Sequence, residues 1–192
     1  MSNKSLYLPL LILPVFLFGC SGSSSAVNQE IAVALPAKVS LETVPMILDP
    51  SQGPSAPDPA ENDATVAGVD SNSNGIRDDV ERWIAQTYPT SAKMRAAMAQ
   101  MALNSQKEIT TPNLNRDTAY QIALEGMDAT NCIGDMESTT GLRWDIKVYM
   151  AQMYNTRSRY SALMNFQNIM GSRAFRVPET NTCEIPLPQL AD

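Results

Sequence analysis

The sequence predicts an all-α fold, a small bundle of about four helices. Three observations carry this. Downstream of Asp78, apolar residues recur at the i, i+3, i+4 and i+7 spacing of a one-sided helix. Breakers divide that pattern at Pro89, Thr111-Pro112-Asn113, Gly134 and Gly171, leaving loops of a few residues that imply antiparallel neighbours. Residues 21–69, rich in Pro, Ser and Ala, cannot bury enough apolar surface to fold alone, so the folded unit is about 70–192.

The first helix begins near Asp78, with Val80, Trp83, Ile84 and Thr87/Tyr88 on its apolar face, and stops at Pro89. Thr90 or Ser91 caps the second, where Met94, Met98, Met101 and Ser105 share a face among alanines. Asn115 caps the third, with Ala119, Ile122, Ala123, Gly126 and Met127 inward and Gly134 as its stop. The fourth is expected to be the longest, from about Ser138 to Met170. Leu142, Ile146, Tyr149/Met150, Met153, Tyr160, Met164 and Phe166/Ile169 give it a core face before Gly171 ends it. The tail, RVPETNTCEIPLPQLAD, carries too many prolines for a helix or a central strand. No internal repeat is visible.

The opening residues set an expectation about address. Lys4 lies in a short polar start, LYLPLLILPVFLF follows at Leu6–Phe18, and Leu17-Phe18-Gly19-Cys20 closes the segment. The apolar run is short and broken by proline, which suits a secretory signal over 1–19 better than a membrane span. Leu17-Phe18-Gly19-Cys20 resembles a bacterial lipobox. The resemblance implies acylation at Cys20, palmitate included, and attachment by more than one acyl chain. Ser21, where retention at the inner membrane often uses Asp, implies the outer membrane of a Gram-negative envelope. An ordinary cleaved signal with Cys20 as a free thiol is the alternative. With Cys20 acylated, Cys132 and Cys183 are left over in an oxidising compartment and are expected to pair. They lie 51 residues apart (183 − 132), and closing that loop is worth about 4 kcal/mol in chain-entropy terms. A redox-active or metal-binding pair would be the other option, but the CxxC spacing is missing.

Residues 20–69 read as an acidic tether, with Glu30, Glu42, Asp49, Asp58, Glu61 and Asp63 against Lys38. One island interrupts it. Between Ile31 and Leu48, Val33, Leu35, Val39 and Leu41 alternate like an edge strand or an extended segment laid on the domain. Net charge is −6, and −7 without Lys4, which speaks against nucleic acid as a partner.

DSNSNGIRDDVE at 70–81 carries the most specific chemistry. Calcium takes six to eight oxygens at about 2.3–2.6 Å, supplied in a twelve-residue loop from positions 1, 3, 5, 7, 9 and 12. Here these are Asp70, Asn72, Asn74, Ile76 through its carbonyl, Asp78, and Glu81 as the bidentate end. Position six must turn sharply and holds Gly75. The segment resembles the EF-hand calcium loop, and more closely its variants in thrombospondin type 3 repeats and dockerins. Arg77 occupies the position where a paired hand carries an apolar residue, and ATVAGV rather than a helical pattern precedes the loop. The resemblance therefore implies one unpaired structural site. With three carboxylates and two amides, its dissociation constant should be on the order of 10⁻⁵–10⁻³ M. A second reading needs no metal: Asn74-Gly75 is a turn dipeptide, and Asp78 with Glu81 forms an acidic capping box. It leaves the matched spacing of Asp70 and Asn72 unexplained.

Other chemistry is sparse. The chain has no histidine, which removes Ser-His-Asp and Cys-His catalysis and imidazole zinc sites. An envelope enzyme using carboxylates is one alternative function, although the acids outside the loop show no pairing in the sequence. Met94, Met98 and Met101, with Met150 and Met153, could offer thioethers to Cu(I), but they also fall on core stripes. Residues 143–176 carry six cations, among them Arg143, Lys147 and Arg157, against Asp145 (6 − 1 = +5), so an anionic lipid or cell-wall polymer is a candidate partner beside a plain solvated face. The expectation is a calcium-binding, lipid-anchored envelope protein, non-enzymatic, acting as a structural or interaction module for an envelope protein or anionic polymer.

Overall fold

A computed structural model describes residues 38–174, 182–185 and 190. The signal over 1–19, the lipid attachment at Cys20 and the alternation over 31–37 lie outside these residues. Among the described residues the fold is all-helical, without a strand. It comprises α1 (Pro59–Asp63), α2 (Asp78–Thr87), α3 (Ala92–Thr110), α4 (Arg116–Thr140), α5 (Ile146–Met153) and α6 (Arg157–Met170), with single 3-10 turns at Pro45–Ile47 and Pro50–Gln52. None of these helices is long and apolar enough to cross a membrane.

α3 is the central element. Ser91 caps it by accepting from the Met94 amide at 3.1 Å. Its alanines at 96, 97, 99 and 102 are small enough for neighbours to approach on several sides, so α3 is buried almost all round from Ala92 to Gln106. α2, α4, α5, α6 and the first 3-10 turn all pack on it. Met94, Met98, Val80, Ile84, Ile133, Met136 and Met153 form the main core. A smaller cluster of Ala119, Ile122 and Phe166 joins the start of α4 to α6. Gly126 permits the α3–α4 approach, since a Cβ there would come within 2.7 Å of Asn104 Nδ2.

The fourth helix differs from expectation. Gly134 stays helical inside α4, which runs on to Thr140 and ends at Gly141 with φ of +72°. The remainder divides into α5 and α6 because two caps restart the helix. Asp145 accepts from the Lys147 and Val148 amides, and Thr156 accepts from Arg159 N. Each restart resets the phase of the apolar stripe. Tyr149, Met153 and Phe166 are buried as expected, and Leu163 joins them, but Ile146, Met150 and Tyr160 face solvent.

The segment expected to tether the domain is also part of it, from residue 39 onward. Val39, Val44, Met46 and Ile47 enter the main core, with a 3-10 turn in place of any strand. Fully buried Arg95 holds this strap: its guanidinium donates to the carbonyls of Met46, Ile47, Tyr88 and Pro89 at 2.7–3.0 Å. A sequence reading treats prolines as signs of a free linker, yet here Pro45 and Pro50 open the two short turns.

The tail closes the other side. Cys132 and Cys183 form the expected disulfide, with Cα atoms 4.8 Å apart. Gln100 brackets that bridge, donating to Thr182 O at 2.9 Å and accepting from Glu184 N at 3.0 Å. Glu184 in turn accepts from Val39 N at 2.7 Å, tying tail to strap.

Candidate metal centre

The 70–81 loop folds around its own carboxylates. Gly75 takes φ of +85°, the turn its position demands, and Ser73 also lies at positive φ, +56°. Both oxygens of Asp70 accept backbone N–H groups, from Asn74 at 3.2 Å and Gly75 at 2.8 Å. Asn74 Oδ1 accepts from Ile76 N at 2.8 Å, and Asn72 Oδ1 from Asn74 N at 3.2 Å. Asp78 Oδ1 accepts from Ser71 N at 2.9 Å, and Asp78 N donates to Val69 O at 2.9 Å, which closes the loop at its neck.

Glu81 sits at the centre. It is fully buried in the first turn of α2. Its Oε1 accepts from Asn74 Nδ2 at 2.9 Å and its Oε2 from Asn72 Nδ2 at 3.2 Å. The capping-box geometry is therefore not adopted: Arg77 is the N-cap without a side-chain cap bond, and Glu81 turns into the loop. This side-chain closure is what the turn-and-cap reading leaves out. Burial pushes the Glu81 carboxyl up to about 7 against the two amide bonds, and repulsion from Asp78 and Asp70 adds to the rise. Burial likewise raises Asp70, opposed by the Gly75 and Asn74 amides. Among the described residues no Lys or Arg forms an ion pair with Asp70, Asp78 or Glu81.

Arg77, the residue that departs from the paired EF-hand pattern, has an internal task. Fully buried, it donates to Gln152 O at 2.9 Å and Met153 O at 3.1 Å, at the end of α5, and pairs with Asp79. The loop is docked on the bundle through this guanidinium. Periodicity gives no hint of it, because a charged residue beside Ile76 reads as solvated. Arg159, also fully buried, fixes the approach to the loop through Val66 O, Asn62 O and Asp63.

The donor set has the oxygens a hard cation requires: carboxylates at 70, 78 and 81, amide oxygens at 72 and 74, and the Ile76 carbonyl. Buried Glu81, with two amide donors but no Lys or Arg partner among the described residues, is the feature that suits one, since a charge taken out of water without a counter-charge is costly. Asn72 and Asn74 turn their NH₂ groups toward Glu81, so ligation requires these amides to exchange N for O. Among the described residues no three side chains of His, Cys, Asp or Glu gather tightly enough to hold an ion by themselves. An open cavity of about 390 Å³ lies against the loop, walled by Ser71 to Asn74 on one side and by Glu42, Thr43 and Pro45 of the strap on the other.

The other sequence candidates fall elsewhere. Met94, Met98, Met101 and Met153 lie in the core, apart from surface-exposed Met150. A second carboxylate, half-buried Glu108, accepts from the Tyr154 hydroxyl at 2.8 Å and from Asn104 Nδ2 at 3.3 Å, beside a Tyr149–Ser105 hydroxyl pair at 2.8 Å. Burial pushes Glu108 up to about 7. No family model, curated protein or solved structure matches the chain.

Proposed function

We propose that this chain is a calcium-binding lipoprotein of the cell envelope, anchored through acylated Cys20, in which one structural ion at 70–81 rigidifies the junction between strap and helices. The observation that carries the reading is Glu81: a fully buried carboxylate beside Asp70 and Asp78, held by two amides and paired with no cationic side chain among the described residues. The ligands would be Asp70, Asn72, Asn74, the Ile76 carbonyl, Asp78 and Glu81. The ion supplies positive charge to this group, and the role is structural rather than catalytic. Asn74 also donates to Thr43 O at 3.0 Å, so the state of the loop bears directly on the strap.

Calorimetric titration of the purified mature chain with calcium tests this. The expected constant is on the order of 10⁻⁵–10⁻³ M, with magnesium binding more weakly. At a calcium concentration about 100 times that constant, the fold should gain about 2.7 kcal/mol. Glu81→Gln should remove both the heat and the gain. Absence of heat together with an unchanged melting temperature in millimolar calcium would overturn the proposal.

A further inference from the structure

Helix α5, IKVYMAQM, is apolar on both of its sides. Its inward side is Tyr149 and Met153, which sit in the core. At 100° per residue, Ile146, Met150, Lys147, Ala151, Val148 and Gln152 occupy the rest of the circumference; Lys147 is the one charge among them, and half-buried Gln152 is taken up by Asp79. Ile146 is 54% exposed, Val148 50% and Met150 38%. Three large apolar side chains exposed on so short a helix are more than a solvated face requires. α5 is at the surface, so its outer arc calls for a cover.

The charges that flank α5 along the chain indicate what kind. Arg143 precedes it with a side chain 77% exposed, Lys147 lies within it, and exposed Arg157 follows it. The acids here are turned to local tasks: Asp145 caps α5, and Glu137 accepts from Trp144 N while pairing with Arg143. In a chain of net charge −6 this segment has reversed sign. Apolar residues interleaved with cations suit the boundary between headgroups and acyl chains of an anionic bilayer. The chain length also fits. Lys38, the first described residue, lies 18 residues from Cys20, and that stretch can reach at most about 65 Å even fully extended. A domain so tethered stays at the membrane, where a weak surface contact suffices.

We infer that the outward arc of α5, centred on Ile146, Val148 and Met150 and rimmed by Arg143, Lys147 and Arg157, docks on an anionic lipid bilayer. The inference rests on the membrane-anchored part of the proposed function, and its test is independent of the anchor. The mature chain carrying Cys20→Ser, which has no acyl group, is mixed with vesicles of phosphatidylethanolamine containing phosphatidylglycerol, and with vesicles of phosphatidylcholine. Flotation should show binding to the anionic vesicles that weakens with added salt. The double variant Ile146→Asp, Met150→Asp should lower partitioning at least about tenfold with an unchanged circular dichroism melt, and Lys147→Glu should lower it less. Because both apolar residues are exposed, neither change disturbs the core. Equal partitioning of wild type and double variant would overturn the inference. So would absence of vesicle binding, including the case of a dimer that the double variant dissociates, which would make a second copy the cover. Mass spectrometry of Cys20 from cell envelopes reports separately on the anchor.

Discussion

Asn74 donates through one nitrogen to both Glu81 Oε1, at 2.9 Å, and Thr43 O, at 3.0 Å. A single buried amide thus joins the loop's closing carboxylate to the strap that crosses it. The carboxylate needs a donor or a cation, the strap carbonyl needs a donor, and Asn74 serves both at 2% exposure.

Asn74→Asp should separate these roles. The new carboxylate cannot donate to Thr43 O and repels Glu81, so the calcium-free protein should lose about 2–3 kcal/mol. The added charge at a ligand position should raise calcium affinity, by roughly tenfold. Urea unfolding with and without calcium, alongside calorimetric titration, reads both signs. Moving both quantities in the same direction would refute the assignment.

Arg95→Ala should release the strap. The guanidinium satisfies carbonyls from Met46 to Pro89, and deleting it leaves them buried without donors, a loss of about 3–5 kcal/mol. Limited proteolysis should then cut near exposed Leu48 well before it cuts α3.

Reduction of Cys132–Cys183, or the paired change to serine, should lower unfolding stability by about 4 kcal/mol. Because the bridge pins the tail that also holds Val39 through Glu184, amide exchange at the start of the strap should rise as well. Exchange confined to the tail would contradict that linkage.

The Glu108 carboxyl, pushed up to about 7 by burial, predicts a pH slope. Its folded-state value lies above its ordinary one of 4.5, so the native state holds this proton more tightly than the unfolded chain does. Stability should therefore be highest below about pH 4.5 as far as this group is concerned, and should fall as pH rises toward 7, by up to about 3 kcal/mol. Tyr154 faces it with a hydroxyl and Asn104 with an amide, neither of which neutralises the ionised form. Glu108→Gln should reduce the difference between denaturant midpoints at pH 5 and pH 8, measured without calcium, leaving the part of the same sign that Glu81 contributes.

Much of the local structure is legible in the sequence because its causes are local. Ser91 and Asn115 cap the helices at the expected places, Pro89 and Gly171 bound them, and Gly75 supplies the positive φ of the loop. The break at Gly141–Asp145 was also written there, in a glycine and a capping aspartate, but a continuous apolar stripe masks it when phase is assumed to carry across. The pairing of Cys132 with Cys183 is expected from the cysteine count and an anticipated oxidising compartment, without any knowledge of the fold.

What the sequence alone determined is the helical class, the spacing of the loop's oxygen-bearing side chains and the disulfide, each set by backbone preference, residue order or covalent chemistry. What the tertiary structure decided is where the charges go. Nothing in the apolar periodicity places Arg77, Arg95 and Arg159, yet each is buried against carbonyls of segments far away in the chain. Those partners exist only after the helices have packed, since a guanidinium is retained in an interior when convergent acceptors replace its water. The same packing took Met46 and Ile47 out of a proline-rich strap into the core, and left Ile146 and Met150 of α5 facing out.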